Sequence, residues 1–270
     1  AYLAITRAGR RLYLNRSAVD ADQLVILCRP DADPLMRRGG AGLLYPALSD
    51  EATREELAGL RTGPAALRQQ AAEVAWLLGA PFLVQVVEGA ADAVNAVVAG
   101  PVDTADEGVR LYEARWGLTA EELADTVVAT LSGDPRRHEF ADLARALAHA
   151  AQAVQPEGRI ILLTEAAPRL GPGAELLRQS DDPARALDAL GKGQAPDRAA
   201  VMQWATAAGR ARVYLLSGLS EATAEELFVT PMEDAGQLHR LLRGAGTYLL
   251  LEDADKALVL GPSRARGGAE

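Results

Sequence analysis

The chain has a single cysteine, three histidines and two lysines in 270 residues. One cysteine, Cys28, excludes an intramolecular disulfide framework and disfavours a structural zinc site. It follows Leu24-Val25-Ile26-Leu27, which reads as a buried strand, so an inert core thiol is expected rather than a nucleophile. Schiff-base and cofactor-tethering chemistry needs lysine. Here Lys192 sits between Gly191 and Gly193 and Lys256 beside Asp255, both reading as exposed loop positions. Aromatics make up only 4% of the chain, so cores must be built from Leu, Val and Ala. No apolar run approaches the roughly 20 residues that span a bilayer. No secretory signal opens the chain either, which makes the cytoplasm the default compartment. Basic charge is also short: a net charge of −9 and a pI near 5.0 argue against nucleic acid or an anionic membrane as partner. A local basic pocket for a small anionic substrate remains compatible with that balance. The chain opens Ala1-Tyr2-Leu3-Ala4 without an initiator Met and soon reaches a strand-like Arg11 to Arg16, so further chain is expected upstream.

What is present is a regular alternation of strands and helices. Up to about Ala124, strand-like runs at Leu24 to Leu27, Phe82 to Val87 and Ala93 to Val98 alternate with helical stretches. The clearest helix is Pro64 to Leu78, where Leu67, Ala71, Val74, Ala75 and Leu78 recur at helical spacing before Gly79-Ala80-Pro81. From Asp125 the runs Thr126 to Leu131, Arg159 to Thr164, Arg212 to Ser217 and Tyr248 to Leu251 read as strands. Helices fill the gaps: one running on to about Val154, one at Ala174 to Gly191, one at Arg198 to Gly209 and two shorter ones. This predicts an α/β protein of two lobes, residues 1–124 and 125–261, with a flexible tail at 262–270. The C-terminal lobe is expected to be a mostly parallel, Rossmann-like sheet covered by helices.

The best-formed candidate site is Ser132-Gly133-Asp134-Pro135, delivered by a strand to the carboxyl edge of that sheet, where ligands of open α/β folds bind. Asp134 is a good N-cap, and the backbone N–H groups at Gly133 and Asp134 could hold an anion, with the Asp134 carboxylate competing. His138, Asp142, Arg145 and His149 then share one stripe, opposite Phe140, Leu143, Ala144, Leu147, Ala151 and Val154. The stripe is either a solvated, ion-paired face or a carboxylate-binding face with Arg145 as the clamp. His138 and His149 lie roughly 16 Å apart along a helix, too far to share one metal ion, and no metal site is expected. Arg37-Arg38-Gly39-Gly40-Ala41-Gly42 is a second glycine cluster, a turn or a close-approach loop, and neither a P-loop nor a GxGxxG fingerprint. Gly171-Pro172-Gly173 lines the cleft or merely joins strand to helix, and Trp204 is expected in a core or interface.

Several of these stretches together resemble the lactate racemase family, whose members racemise or epimerise 2-hydroxy acids with a lysine-tethered nickel pincer nucleotide. Asn15-Arg16 through Ala21-Asp22-Gln23-Leu24-Val25-Ile26 resembles the family's "NR…DAD" strand. Arg38 to Pro46 resembles its "SGGRK…LPG" segment, Ser132 to Pro135 its "GGYP" turn, and Arg212 to Ser217 its later "VYLVS" region. The resemblance implies a 2-hydroxyacid isomerase with Gly39, Gly40, Gly42, Gly133 and Asp134 beside the cofactor, and with Arg145, Asp142 and His138 on the substrate side. It also implies that the family's N-terminal portion lies outside this sequence. The departures are equally specific. Gly42 stands where the cofactor-bearing lysine belongs, and the flanking histidine ligands would fall near Ala32 and Ala58. The family's substrate-side Gln and Lys match Asp142 and Arg145, and Arg for Lys is not a conservative exchange. The nickel pincer nucleotide is therefore implied by resemblance alone, without its covalent tether. Two functions follow as expectations: a diverged 2-hydroxyacid racemase or epimerase using an organometallic or other bound cofactor, and a non-catalytic relative that binds a small anionic ligand or a protein partner.

Overall fold

The computed structural model describes residues 1–6, 9, 11–30, 44–54, 64–79, 81–191, 195–243 and 246–260. Gly39, Gly40, Gly42, Ala32, Ala58, Lys192 and the tail 262–270 lie outside the described residues. Contacts divide the chain into two units, Ala1–Gly89 with Ala93–Arg115, and Ala90–Asp92 with Trp116–Glu270.

In the first unit, β1 (Tyr2–Ile5) pairs antiparallel with β2 (Arg11–Tyr13), and the short helix α1 (Arg16–Val19) is capped by the Asn15 side chain. A three-stranded sheet follows in the order β3 (Val25–Cys28), β4 (Phe82–Glu88), β5 (Val94–Pro101). β3 runs parallel to β4, and β5 antiparallel to it. Helix α2 (Pro64–Leu77) puts Leu67, Ala71 and Val74 into a small core with Leu12, Leu14 and Tyr45. Helix α3 (Ala105–Trp116) passes so close to β4 that a Cβ on Gly108 would lie 2.1 Å from the buried Gln85 Oε1, so any larger residue would have to displace that side chain. Leu83, Gln85 and Val87 form the buried face of β4. Val25 and Leu27 on β3 are exposed, contrary to the buried strand expected there, and Cys28 is only half-buried. That partial burial still pushes the Cys28 thiol up, disfavouring a reactive thiolate.

The second unit is a covered parallel sheet. Its strands are β7 (Ala124–Thr130), β8 (Val154–Leu163), β9 (Arg212–Leu216), β10 (Thr230–Pro231) and β11 (Tyr248–Leu251), in the order β10-β9-β8-β7-β11 and parallel throughout. A separate pair, β6 (Gly117–Thr119) and β12 (Leu258–Leu260), is also parallel. One face buries Val127, Ala129, Ile160, Leu162 and Val213 against helices α4 (Phe140–Ala153) and α7 (Arg198–Arg210). Trp204 anchors that core, tilted against Phe140 at 5.0 Å, with its indole N–H donating to Leu227 O at 2.8 Å. On the other face Val128, Ile161 and Met232 pack under the amphipathic helix α9 (Ala235–Arg243), which follows the short α8 (Glu221–Glu226), through Leu238, Leu241 and Leu242. The α/β class and the three strands expected in one parallel sheet are as the sequence pattern predicts.

Three details differ from the pattern. The stretch Ala174 to Gly191 is two helices, α5 (Pro172–Arg178) and α6 (Pro183–Gly191), because Pro183 starts a new helix rather than extending the first. Gln155 to Gly158 do not lie between helix and strand but bulge out of β8, since Ala124 pairs with Val154 and Thr126 with Arg159. Asp134 caps only a single 3₁₀ turn, Pro135–Arg137, and α4 begins after its own N-cap, Glu139. His138 therefore sits in extended backbone between the two and is not on the helix.

Candidate functional site

The turn after β7, the start of α4 and the turn after β11 (Glu252 to Ala257) meet at the carboxyl edge of the five-stranded sheet. Asp253 and Lys256 in the last turn are buried. Asp253 holds the Ser132 turn in place, accepting from Ser132 Oγ at 2.5 Å, Ser132 N–H at 3.3 Å and Ala91 N–H at 3.2 Å. Burial by itself would push its carboxyl up. The hydrogen bonds from Ser132 and Ala91, with the charge of Lys256, outweigh that and hold it below the usual carboxylate range. Lys256 donates to Ala91 O at 2.5 Å, lies 3.5 Å from Asp253 Oδ1 and stands 5.6 Å over the Trp116 ring. It is a buried, multiply held ammonium and not the exposed loop lysine expected, because the 252–257 turn folds inward instead of looping into solvent.

The same turn engages the α4 stripe. Arg145 Nε donates to Asp255 O at 3.0 Å and Arg145 Nη2 to Asp142 Oδ1, while His149 Nδ1 lies 2.7 Å from Ala254 O. The second Asp142 oxygen accepts from Glu139 N–H at 2.8 Å, closing a capping box. His138, Asp142, Arg145 and His149 are each half-buried, so the stripe is neither a freely solvated face nor an open one. Two of the five guanidinium N–H donors of Arg145 are used in these bonds, and those on Nη1 are not among them. The Nδ1 of His138 is buried and has no hydrogen-bond partner. Asp255 is a buried carboxyl of a different kind from Asp253. Desolvation pushes it up, with Asp142 and Asp253 adding to the rise and Lys256 and Arg145 opposing it.

Gly133 and Asp134 sit where an anion could dock, but the chain places its own carboxylates there. Asp134 N–H donates to Asp92 Oδ2 at 3.1 Å, and Gly133, at φ +103°, would bring a Cβ within 3.0 Å of Asp92 Oδ1. Asp134 itself pairs with Arg136 at 3.0 Å, which is the first reason its carboxyl is held low. The Gly171-Pro172-Gly173 turn repeats the pattern. Asp197 accepts from Gly173 N–H at 2.8 Å and Ala174 N–H at 3.0 Å, and both glycines are needed because a Cβ on either would meet its carboxylate. Asp197, Asp253 and Asp92 are all residues that sequence reasoning missed. Nothing short-range marks them, since each acts on a turn distant in the chain.

A nickel pincer nucleotide needs soft or imidazole ligands and, in the family this sequence resembles, a lysine tether. Among the described residues no cluster of three His, Cys, Asp or Glu side chains could hold a metal ion, and His149 is turned to a backbone carbonyl. Among the described residues, then, none fits that group. No helix among the described residues is long and apolar enough to cross a membrane.

No family model and no curated protein matches the sequence. Solved structures do. The lactate racemase apoprotein from Thermoanaerobacterium thermosaccharolyticum superimposes with a TM-score of 0.75 at 18% identity, over 96% of this chain and 67% of that one. A Thermotoga maritima protein solved by structural genomics superimposes with a TM-score of 0.62 at 12% identity, over 97% of this chain and 75% of that one. This chain has a lactate racemase-like fold.

Proposed function

We propose that the chain is a diverged lactate racemase-like isomerase whose small 2-hydroxy acid binds at the carboxyl edge of the five-stranded sheet, beside Arg145, Asp142 and His138. The observation that supports this is the fold likeness to the racemase apoprotein over 96% of the chain. In this reading the Nη1 donors of Arg145 take the substrate carboxylate, and Asp142 keeps the guanidinium fixed. Interconverting enantiomers by hydride removal and return needs an electron acceptor. This chain does not tether one through a lysine at position 42, where it has glycine.

A second reading, binding of a small anion without turnover, is favoured by one observation. Asp92, Asp253 and Asp197 already occupy the backbone N–H donors that would cradle the phosphates of a cofactor, whereas the Nη1 donors of Arg145, outside its bonds to Asp142 and Asp255, suit a small carboxylate. Chiral chromatography of short 2-hydroxy acids incubated with the protein separates the two. Interconversion of either enantiomer supports the isomerase. Calorimetric binding of the same acids without interconversion leaves the second reading, and neither result would remove both. Intact mass is expected to equal that of the bare 28.5 kDa chain even when the protein is made beside cofactor-synthesis enzymes.

A further inference from the structure

We propose that the amino edge of the five-stranded sheet carries a second ligand site, a cleft in which Arg159 and Arg212 hold the phosphate of a sugar phosphate. The cleft has a volume of about 510 Å³ and lies where the strands begin, at the opposite end of the sheet from the Ser132 turn. Arg159 and Arg212 both line it, and the register of β8 on β9 sets them directly side by side on one face. Like charges at paired positions destabilise a sheet unless an opposite charge lies between them. Arg159 Nη1 donates to Leu241 O at 3.0 Å, and Arg212 has no hydrogen bond or ion pair among the described residues. The same row continues onto β7 as Thr126, the partner of Arg159, whose buried hydroxyl has no hydrogen-bond partner. One step along the strands the row is Val128, Ile161 and Tyr214, which belong to the apolar packing under α9. Polarity on this face is therefore concentrated at the cleft, where paired arginines beside an orphaned hydroxyl call for an explanation.

The chemistry of the lining selects the ligand. Two adjacent guanidiniums present planar forks of N–H donors, the geometry that suits phosphate oxygens. The cleft is far larger than a phosphate ion, so the ligand has a body as well. The rest of the lining offers that body acceptors. Gln155 spends its amide N–H on Leu123 O at 3.1 Å, which leaves its carbonyl oxygen. Asp125 turns Oδ2 to Thr247, accepting from the N–H at 2.8 Å and from Oγ1 at 3.0 Å, and Oδ1 takes no part in those bonds. Glu157 stands exposed on the rim. Acceptors of this kind match hydroxyl donors, and the half-buried Tyr214 ring gives a surface for a sugar to lie on. Two carboxylates also repel a second anionic group, which disfavours polyphosphates and dicarboxylic acids. Glu157 is carried to the rim by the bulge in β8, at φ +61°, a conformation costly for any residue but glycine. Strain of this kind and bulges both cluster at ligand sites.

The test is calorimetric titration of the protein at low ionic strength, in a buffer free of phosphate. The probes are glucose 6-phosphate, ribose 5-phosphate, inorganic phosphate and glucose. At least one of the two esters should bind in a single equivalent, on the order of tenfold more tightly than inorganic phosphate, and glucose should give no measurable heat. Arg212→Ala should weaken ester binding on the order of a hundredfold. Arg212 is exposed, so that variant should fold, and without ligand its thermal midpoint should equal or exceed the parent's because the like-charge pair is gone. Glu157→Gln should leave inorganic phosphate binding unchanged or tighter, since it removes a repelling charge. Failure of both esters to bind would overturn the proposal, as would equal affinities for parent and Arg212→Ala. Inorganic phosphate binding as tightly as the esters would overturn the sugar phosphate assignment and leave a basic patch. Binding that is lost in Arg145→Ala and kept in Arg212→Ala would overturn it too, by placing the ligand at the carboxyl edge.

Discussion

The two sheets are written in nearly the same alphabet and end in different environments. β7 and β8 carry Val127-Val128-Ala129 and Ile160-Ile161-Leu162, and every one of those side chains is buried. β3 to β5 carry Val25-Ile26-Leu27, Val84 to Val87 and Val97-Val98, yet half of that surface faces outward. What differs is the material around the strands. The parallel sheet has α4 and α7 on one face and α9 on the other. Strand composition alone therefore does not tell whether both faces of a strand will be buried.

Tryptophan gives the sharpest way to break this contrast. Trp204 is fully buried in the second unit, whereas Trp76 on α2 in the first is 75% exposed. Trp204→Ala removes a core ring, its contact with Phe140 and the bond to Leu227 O, and should cost about 4 kcal/mol in urea unfolding. Trp76→Ala should stay within about 0.5 kcal/mol. Comparable losses at the two positions would mean that Trp76 is packed against something.

Asp253→Ala is next in size. It removes three hydrogen bonds to a charged acceptor and leaves Lys256 without that carboxylate, at an expected cost of about 3 kcal/mol at neutral pH. Because the folded-state pKa of Asp253 is depressed, its contribution is present above the ordinary carboxylate range and is lost as pH falls through the depressed value. Parent and variant should therefore converge in acid. A gap of constant size from neutral to strongly acidic pH would show that the loss is one of packing and not of charge.

These expectations also mark what the sequence could not show. Apolar runs bounded by turn residues were enough to find the strands of the parallel sheet and the edge at which the Ser132 turn lies. The acidic Glu252-Asp253-Ala254-Asp255-Lys256 segment looks like a solvated loop to any local rule, because burial of its charges depends on partners more than a hundred residues away. His138 was placed on the helix by its spacing from Asp142. Spacing carries no information about the extended residues that separate the 3₁₀ turn from α4. Asp197 was invisible for the same reason as Asp253: it caps a helix from another segment of chain.

Arg145 is where the fold and the proposed site meet, and the expected effect there is smaller. Its bonds to Asp142 and to Asp255 O tie α4 to the turn after β11, so Arg145→Ala should lower stability by about 1–2 kcal/mol. Arg145→Lys should recover only part of this, since an ammonium cannot reach both partners in the guanidinium's fixed geometry. If Arg145 also holds a substrate carboxylate, calorimetry with 2-hydroxy acids should show weaker binding on the order of a hundredfold for Arg145→Ala. Unchanged stability and unchanged binding together would make the stripe a passive surface.

The smallest effect is expected at Asp255, and its sign is what matters. Asp253 and Asp255 stand two residues apart in one buried turn, but the first is hydrogen-bonded as an anion and the second is desolvated. Arg145 and Lys256 attract the Asp255 charge, Asp142 and Asp253 repel it, and burial tips the balance toward the protonated form. A folded-state pKa above the unfolded one means that the native state keeps this proton longer. The associated stability is fully present below the ordinary carboxylate range and is lost as pH rises through the raised value. Asp255→Asn removes the ionisation and keeps the shape. It should match or exceed the parent by up to about 1 kcal/mol at neutral pH, and that advantage should vanish on acidification. Asp253→Asn should behave oppositely, weaker than the parent at neutral pH and approaching it in acid. Urea titrations of both variants at several pH values test the pair. An Asp255→Asn protein clearly less stable than the parent at neutral pH would show that Arg145 and Lys256 outweigh desolvation, and that both carboxylates of the turn are working ion-pair partners.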